Sequence, residues 1–333
     1  MMLRYIVRRV LVMIPTLIVI SMLVFTIIQL PPGDYLTTMV NELQAQGENV
    51  NQERVAYLRE QYGLDRSGVE QYFHWVWGML HGDMGHSFEH DKPVNEVVGD
   101  RMYLTMLVAF VTTLFVYVMS FPIGVYSAVR QYSIGDFTLS FIGFIGLATP
   151  NFLLALVLMY MAKAYFGTDI GGLMDAQYID QPWTTDKVMS VLAHLWVPVL
   201  VIGTSGTAGM IRRLRANLLD ELHKQYVVTA KAKGLGPIKV LVKYPLRMAL
   251  NPFIADIGNL LPEMISGAVI VSVVLGLETT GPMLLKALQS QDMYLAGSFL
   301  MFISLLTVFG TLISDLALAV LDPRIRLDGG RNR

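Results

Sequence analysis

Cysteine is absent from this 333-residue sequence, which excludes disulfide bonds and thiolate metal sites. Charge is also scarce: Asp, Glu, Lys and Arg together make up 15% of the residues, whereas a soluble globular domain carries roughly 25%. Hydrophobic residues account for 54% of the chain, and the mean hydropathy is +0.51. This composition is typical of a protein that lies in a lipid bilayer. The net charge of −1 does not point to a nucleic-acid partner, and we expect none.

Sequence motifs for catalysis are missing as well. No phosphate-binding loop of the form G-x-x-x-x-G-K-[ST] occurs, so the chain is not expected to hydrolyse ATP itself. The G-x-S-x-G and H-E-x-x-H motifs do not occur either, and no paired aspartates lie within the apolar segments. We therefore expect neither an enzyme nor a catalytic residue.

Six apolar segments are long enough to cross a bilayer as helices, because about 20 helical residues span a hydrocarbon core of ~30 Å. They cover Val10–Leu30, Met102–Val129, Phe137–Ala162, Val188–Ile211, Asp256–Leu277 and Leu295–Val320. The first apolar run is too long for a signal peptide and no A-x-A cleavage site follows it, so we expect it to be retained. The predicted fold class is an all-α integral membrane protein with six transmembrane helices.

The distribution of Lys and Arg predicts the orientation of these helices. Seventeen of the 25 Lys and Arg residues lie on the side of the N-terminus, and the remainder lie on the opposite side. Since Lys and Arg accumulate on the cytoplasmic side of membrane proteins, we expect both termini in the cytoplasm. The predicted location is therefore the cytoplasmic (inner) cell membrane, which the chain crosses several times.

This topology divides the chain into three parts. Residues 1–30 hold a short cytoplasmic tail and the first helix, residues 31–101 form an extracytoplasmic segment, and residues 102–333 form a core with the other five helices. The segment 31–101 is too short and too polar to bury a sizeable core of its own. We expect it to form a cap that packs on the outer helix ends.

The longest cytoplasmic loop, residues 212–251, is strongly basic, with nine Lys and Arg residues against two acidic ones. Leucines recur in it at helical spacing before a Gly-Leu-Gly-Pro break at 234–237, where Gly permits a positive φ and Pro lacks the N–H donor. A second short helix, roughly Ile238–Leu250, is expected to return to the membrane. The pattern predicts a helix–turn–helix that extends into the cytoplasm.

Two interpretations of this loop remain open. The charge pattern alone fits a basic loop that fixes the topology or contacts anionic lipid headgroups. Alternatively, the small residues Ala230, Ala232 and Gly234 beside a sharp break suit a helix that docks in the groove of a cytoplasmic partner, because small side chains allow close approach.

The loop resembles the EAA motif, the ATPase-coupling loop of permeases in ATP-binding-cassette (ABC) importers. The likeness is greatest to the dipeptide, oligopeptide and nickel permease family, and within it to dipeptide permease B-like subunits. The residues that match the first part of the motif are Tyr226, Thr229, Ala230, Lys231, Ala232, Lys233, Gly234 and Leu235, and those that match its second part are Leu246, Arg247, Ala249, Leu250 and Pro252. The resemblance extends to GDMGHSF at Gly82–Phe88 and to LDPRIR at Leu321–Arg326.

The chain departs from the family pattern in two places. Tyr244-Pro245 stands where the family often has His followed by Ala, and this pair would bend the second loop helix. Glu278–Gly281 replaces a more usual turn. Both departures weaken any inference about the substrate but leave the docking hypothesis intact.

The resemblance implies a type I ABC importer permease fold (MetI-like). It also implies a permease subunit that forms half of a translocation pathway for di- or oligopeptides or a similar small solute. The coupling residues that it implies are Tyr226, Thr229, Ala230, Lys231, Ala232, Lys233, Gly234, Leu235 and Arg247. No cofactor is expected on this chain, because ATP and Mg²⁺ would bind to partner ATPases.

The implied partners are a second, related permease subunit in a heterodimer, two cytoplasmic ATPase subunits, an extracytoplasmic solute-binding protein and the lipid bilayer. The alternative is a stand-alone ion-coupled secondary transporter or channel. In that case Glu263 or Asp256 would couple to ion movement, and no ATPase would be needed.

Polar residues within the apolar segments are further candidates. Glu263 lies mid-span, where a charge costs roughly 2.5–3.5 kcal/mol, so it faces either the translocation pathway or a hydrogen-bonding neighbour helix. Pro150 and Asn151 predict a local break in the third segment, which would serve either gating or helix packing.

A histidine-rich stretch contains His81, His86 and His90. On a helix, His86 and His90 would be one turn apart and would chelate a transition metal. Gly82 and Gly85 favour a turn instead, so we expect no metal site.

Overall fold

The computed structural model describes residues 2–30, 35–45, 52–61 and 63–321. The LDPRIR match beyond Leu321 lies outside these residues. Over the described part the regular secondary structure is α-helical apart from two helical turns of other types and one antiparallel hairpin, which confirms the predicted all-α fold class.

The described residues form 16 α-helices and two short strands. Their bounds are α1 Met2–Gln29, α2 Tyr35–Ala45, α3 Gln52–Gln61, α4 Gly68–Leu80, β1 His86–Ser87, β2 Lys92–Pro93, α5 Val94–Val98, α6 Arg101–Val129, α7 Ile134–Ala148, α8 Asn151–Met161, α9 Thr185–His194, α10 Trp196–Leu222, α11 Gln225–Ala232, α12 Pro237–Lys243, α13 Pro245–Ala255, α14 Ile257–Leu275, α15 Thr280–Gln289 and α16 Met293–Leu321. A π-helical turn at Ala162–Phe166 follows α8, and a 3-10 turn lies at Ala176–Tyr178.

Among the residues that the structure describes, four helical stretches are long and apolar enough to cross a membrane. They are Leu3–Gln29, Arg101–Val129, Thr185–Leu222 and Met293–Leu321. Two bent helix pairs also qualify, and counting each pair as one span brings the number to six. The structure is therefore consistent with the six predicted transmembrane segments.

The chain divides into two compact units. The main unit contains Met1–Leu11, Leu104–Glu278 and Leu306–Arg333, and the minor unit contains Val12–Tyr103 and Thr279–Leu305. The predicted boundaries after residues 30 and 101 follow membrane topology, which this division does not test, and they stay a prediction.

Helix α10 lies at the centre of the main unit, where it packs against α7, α8, α13 and α14. Met210, Leu214 and Leu218 are buried on it, and their spacing of four residues keeps them on one side of the helix. Nearer the start of α10, Gly203 lets this helix pack closely against Phe115 of α6. A Cβ at Gly203 would lie 2.7 Å from the Phe115 ring. This helix therefore anchors the main unit.

The minor unit builds its core from two distant parts of the chain. Val94, Val97 and Val98 of α5 pack in one cluster with Leu284 and Ala287 of α15. A second cluster joins α4 to α1. The described residues of the segment 31–101 in these two clusters pack together with residues from outside the segment. Its partner in this core, the region around α15, was not predicted.

Candidate functional site

The candidate coupling loop starts as a continuation of α10. With 27 residues this helix is about 40 Å long, so it exceeds a hydrocarbon core by ~10 Å. Near its end, Leu214 and Leu218 belong to the hydrophobic core of the main unit. The leucines whose spacing predicted a helix therefore fix the base of the loop by packing.

Helices α11 and α12 form a helix–turn–helix with a small core of its own. Val227 and Ala230 of α11 are buried in one cluster with Val240 of α12. Between the helices, Gly234 has a left-handed φ of 74°, and Pro237 occupies the first turn of α12. The predicted break at 234–237 and the helix–turn–helix are confirmed.

The second loop helix is interrupted, as the Tyr244-Pro245 pair suggested. The single helix expected over Ile238–Leu250 is wrong, because α12 ends at Lys243 and α13 begins at Pro245. Proline lacks an N–H for the helical hydrogen bond and disfavours the α conformation in the residue before it. Tyr244 accordingly has φ −118° and ψ −84°, outside the helical region.

The residues that match the first part of the motif do not share one environment. Ala230 is buried in the small core of the loop, so its size serves packing within the loop and its side chain is not open to a partner. Leu235 is partly buried against the same cluster. The exposed members are Tyr226, Thr229, Lys231, Ala232, Lys233 and Gly234.

Hydrogen bonds hold three of the candidate residues. The Tyr226 hydroxyl donates to the Glu221 carboxylate; burial raises the pKa of this hydroxyl, and the bond and charge of Glu221 raise it further. Thr229 donates to a backbone carbonyl one turn earlier. The Arg247 guanidinium donates through Nε and Nη2 to the carbonyl oxygen of Leu321, at 3.2 and 2.8 Å. Arg247 therefore caps the C-terminal end of α16, where a positive charge is favourable.

Exposed apolar side chains on the loop are a feature that sequence reasoning missed. Val228 is 54% exposed, Ile238 77% and Val242 57%, and exposed Lys231 and Lys233 lie in the same loop. Exposed apolar side chains next to lysines in one short loop make this loop a candidate contact region. The sequence did contain a signal for two of them. Ile238 and Val242 lie two residues before and after Val240, so on a helix they cannot share its buried side.

Two arginine–aspartate pairs fix the base of the loop within the main unit. Arg215 donates through Nε and Nη2 to the two carboxylate oxygens of Asp136, at 2.9 and 2.8 Å. Asp136 is only 2% exposed and also accepts from the Tyr132 backbone N–H. A second pair joins Arg213 of α10 to Asp256. The sequence signal for Asp136 was its place three residues after Ser133, whose hydroxyl caps α7.

The remaining membrane candidates lie on different elements of the main unit. Helices α7 and α8 are bent by 99° at a break where Pro150 is the N-terminal cap residue of α8, so the local break predicted at Pro150-Asn151 within the third segment is confirmed. The Asn151 amide donates to Ser205 Oγ at 3.3 Å. Glu263 is exposed on α14. The roles predicted for these residues stay predictions.

The histidine-rich stretch forms a hairpin, as its glycines indicated. His86 Nε2 lies 3.2 Å from Asp91 Oδ1, and His90 Nδ1 lies 3.2 Å from the Ser87 hydroxyl. His81 is the C-cap residue of α4, and its Nδ1 lies 2.8 Å from the Trp77 carbonyl oxygen in the same helix. Within the described ranges, no three His, Asp or Glu side chains are grouped so that they could hold a metal ion.

Comparison with known proteins supports the same interpretation. Residues 120–327 match the family described as the binding-protein-dependent transport system inner membrane component, and residues 2–109 match the N-terminal part of such membrane components. The oligopeptide transport system permease protein AppB of Bacillus subtilis is 34% identical over 323 residues, which cover 96% of this chain and 98% of that protein.

Two further relatives also align along nearly their whole length. The dipeptide transport system permease protein DppB of Escherichia coli K12 is 29% identical, with 98% of this chain and 99% of that protein covered. A putative peptide permease protein of Brucella ovis is 30% identical, with 98% and 100% covered. With the helices described above, these matches identify a multi-pass membrane protein that is not itself catalytic. The chain belongs to the family of binding-protein-dependent transport system inner membrane components, the permeases of ABC importers.

Proposed function

We propose that this chain is the permease subunit of an importer for di- or oligopeptides. The names of two relatives support this substrate class, since they describe an oligopeptide and a dipeptide permease. The observation that carries the coupling role is the helix–turn–helix of α11 and α12. It folds around its own small core and exposes Val228, Ile238 and Val242 on a basic surface.

The proposed coupling surface consists of these three apolar residues with the exposed Tyr226, Thr229, Lys231, Ala232, Lys233 and Gly234. It would fill a groove of a cytoplasmic ATPase, where apolar side chains lose water and the lysines meet acidic groups. ATP and Mg²⁺ would bind there and not to this chain. Three arginines would transmit movement of the ATPase from the loop to the other helices. Arg213 pairs with Asp256 beside α14, Arg215 pairs with Asp136 on α7, and Arg247 binds the end of α16.

The proposed orientation places both termini and this loop in the cytoplasm. It rests on the excess of Lys and Arg on that side of the chain. Residues 31–101 would then lie outside, where a solute-binding protein delivers peptide. A related second permease would complete the pathway as a heterodimer, with Glu263 and the Pro150-Asn151 break as candidate elements of the pathway.

Co-purification tests the coupling surface. We would co-express the tagged chain with its genomic neighbours and assay the purified complex for ATP hydrolysis. Val228→Asp and Ile238→Asp should each lower the amount of co-purified ATPase at least tenfold, about 1.4 kcal/mol of binding. Val69→Asp is the matched control, because Val69 is equally exposed but lies on α4 of the minor unit. Full ATPase recovery with both loop variants would rule out this surface.

A further inference from the structure

The minor unit contains a cavity of about 380 Å³. Its lining comes from the stretch before α4, from α4 itself, from the hairpin and from the start of α16. The lining residues that matter here are Arg66, Gln71, Trp75, Asp83, Phe88 and Tyr294. Its volume falls within the roughly 300–1,000 Å³ typical of small-molecule sites.

The cavity has an apolar floor and a charged rim. Trp75 and Phe88 are each 4% exposed, and Phe88 meets the Tyr294 ring edge-on at a centroid distance of 5.4 Å. Arg66 and Asp83, in contrast, are exposed. Buried aromatic rings beneath exposed charges suit a ligand that has an apolar body and ionic ends.

The two rim charges have opposite sign and do not neutralise each other. Within the part of the chain that the structure describes, no ion pair joins Arg66 to Asp83 or to another carboxylate. One oxygen of Asp83 accepts from the Gly85 N–H at 2.9 Å, which fixes the orientation of the carboxylate. A ligand with one positive and one negative end would match both.

The wall of the cavity is held rigidly from behind. Ser87 donates to the buried Asp292 carboxylate at 2.5 Å. Glu89 accepts from Lys286 and Ser290, at 2.6 and 2.8 Å. A hairpin fixed in this way presents Phe88 without further ordering, and this lowers the entropic cost of binding.

We propose that this cavity binds a small zwitterionic peptide. The guanidinium of Arg66 binds the terminal carboxylate, Asp83 binds the terminal ammonium group, and a side chain of the peptide packs on Trp75, Phe88 and Tyr294. The identity of the ligand rests on the proposed peptide import and adds a second place, in the minor unit, where the permease holds its solute.

Calorimetry on the full-length chain in lipid nanodiscs tests the site. The probe is the dipeptide L-alanyl-L-phenylalanine, and the comparison ligand is its N-acetylated, C-amidated form, which has neither terminal charge. We expect saturable binding of the zwitterion, and at least tenfold weaker binding of the capped form. Arg66→Gln and Asp83→Asn should each weaken zwitterion binding at least tenfold, because a charge-assisted hydrogen bond is lost. Lys92→Gln and Asp65→Asn, two exposed charges of the minor unit outside the cavity lining, should bind as wild type.

Three outcomes would overturn the proposal. The first is no saturable binding by wild type in the millimolar range, and the second is equal binding of the zwitterionic and capped dipeptides. The third is an Arg66→Gln variant that binds dipeptide normally. Such a variant contradicts the proposal even if it no longer docks a solute-binding protein. ATP-dependent uptake by the complete complex is measured separately. Uptake without binding here removes this site but not the importer function, whereas binding here without any peptide uptake removes the importer function but not the site.

Discussion

The coupling loop and the minor unit are organised on different sequence scales. In the loop, the buried residues Val227, Ala230 and Val240 lie close together in sequence and fold around one break. In the minor unit, the hairpin is held by Asp292, which is 205 residues away from its partner Ser87. Local periodicity and helix breakers describe the first kind of structure well. They carry no information about the second, because pairing across such a distance leaves no pattern in a single sequence.

The first prediction concerns the long-range packing of the minor unit and should have the largest effect. Gly85 has a φ of +85°, and a Cβ there would lie 2.5 Å from the Tyr294 ring. Gly85→Ala therefore adds backbone strain to a steric collision, and we expect a loss of about 3 kcal/mol or more in the free energy of unfolding. Denaturant unfolding in detergent, followed by tryptophan fluorescence, measures this loss.

Gly82→Ala separates the two causes. Gly82 has a similar φ of +81°, but a Cβ at this position would meet no other atom within 4 Å. Only the strain term of about 1–2 kcal/mol should remain. Equal losses for both variants would mean that the ring of Tyr294 yields and that long-range packing in the minor unit is less demanding than we infer.

The second prediction asks whether the base of the coupling loop depends on a long-range contact, although the core of the loop itself is formed by residues close in sequence. Asp136→Ala removes the partner of Arg215, which is 79 residues away, and leaves its charge partly buried. We expect a loss of about 3 kcal/mol of global stability, measured by denaturant unfolding.

A double substitution tests the cause of that loss. Asp136→Leu combined with Arg215→Met replaces the ion pair by apolar side chains and should recover most of the stability. If the double variant is as unstable as Asp136→Ala, the loss comes from the cap of α7 or from packing, and the loop base does not depend on this pair.

The same contrast explains which parts of the fold could be predicted. The apolar segments and the breaks at Pro150 and Gly234 follow from local composition and backbone chemistry, and they were predicted. The division of the second loop helix at Pro245 was only suggested as a bend, because proline permits either a kink or a stop. The packing of α5 against α15 could not be predicted. Each helix is short, and its own sequence does not indicate which distant part of the chain it packs against.

Within the candidate site, exposure was the missing information. The sequence motif treats Ala230 and Ala232 alike, yet the first is buried in the loop core and the second is exposed. Arg247 matches the motif, but its side chain caps α16. Side-chain direction depends on how two short helices pack, and their spacing alone did not predict it.

The third prediction exploits this difference between the two alanines. Ala230→Asp places a carboxylate in the small core beside Val227 and Val240, so we expect the loop to unfold locally while the rest of the chain stays folded. Trypsin cleavage after Lys231 or Lys233 should accelerate at least tenfold, about 1.4 kcal/mol of local stability. Ala232→Asn, which adds a polar side chain but no acidic group next to these cleavage sites, should leave cleavage unchanged. A global loss of stability with Ala230→Asp would contradict an independently folded loop.

The fourth prediction uses pH to separate two acids of the minor unit, the half-buried Glu89 and the buried Asp292, and its effect is the smallest. Burial alone would raise the pKa of Glu89, but the bonds from Lys286 and Ser290 and the charge of Lys286 outweigh it and lower this pKa. Burial raises the pKa of Asp292, although the bonds from Ser87 and the backbone oppose the shift. The stability that Glu89 contributes is present above its unfolded pKa of about 4.3 and is lost as the pH falls through its lower folded value.

Asp292 acts in the opposite direction. Its contribution is fully present below its unfolded pKa of about 3.9 and is lost as the pH rises through its higher folded value. Asp292→Asn should therefore remove the loss on the alkaline side and leave the acid-side loss from Glu89. Glu89→Gln should do the reverse, by less than about 1 kcal/mol, because Lys286 is largely exposed. The melting temperature of each variant, measured across the pH range, gives the pH dependence of its stability. If Asp292→Asn and Glu89→Gln show the same pH dependence, the opposite pKa shifts of Asp292 and Glu89 are contradicted.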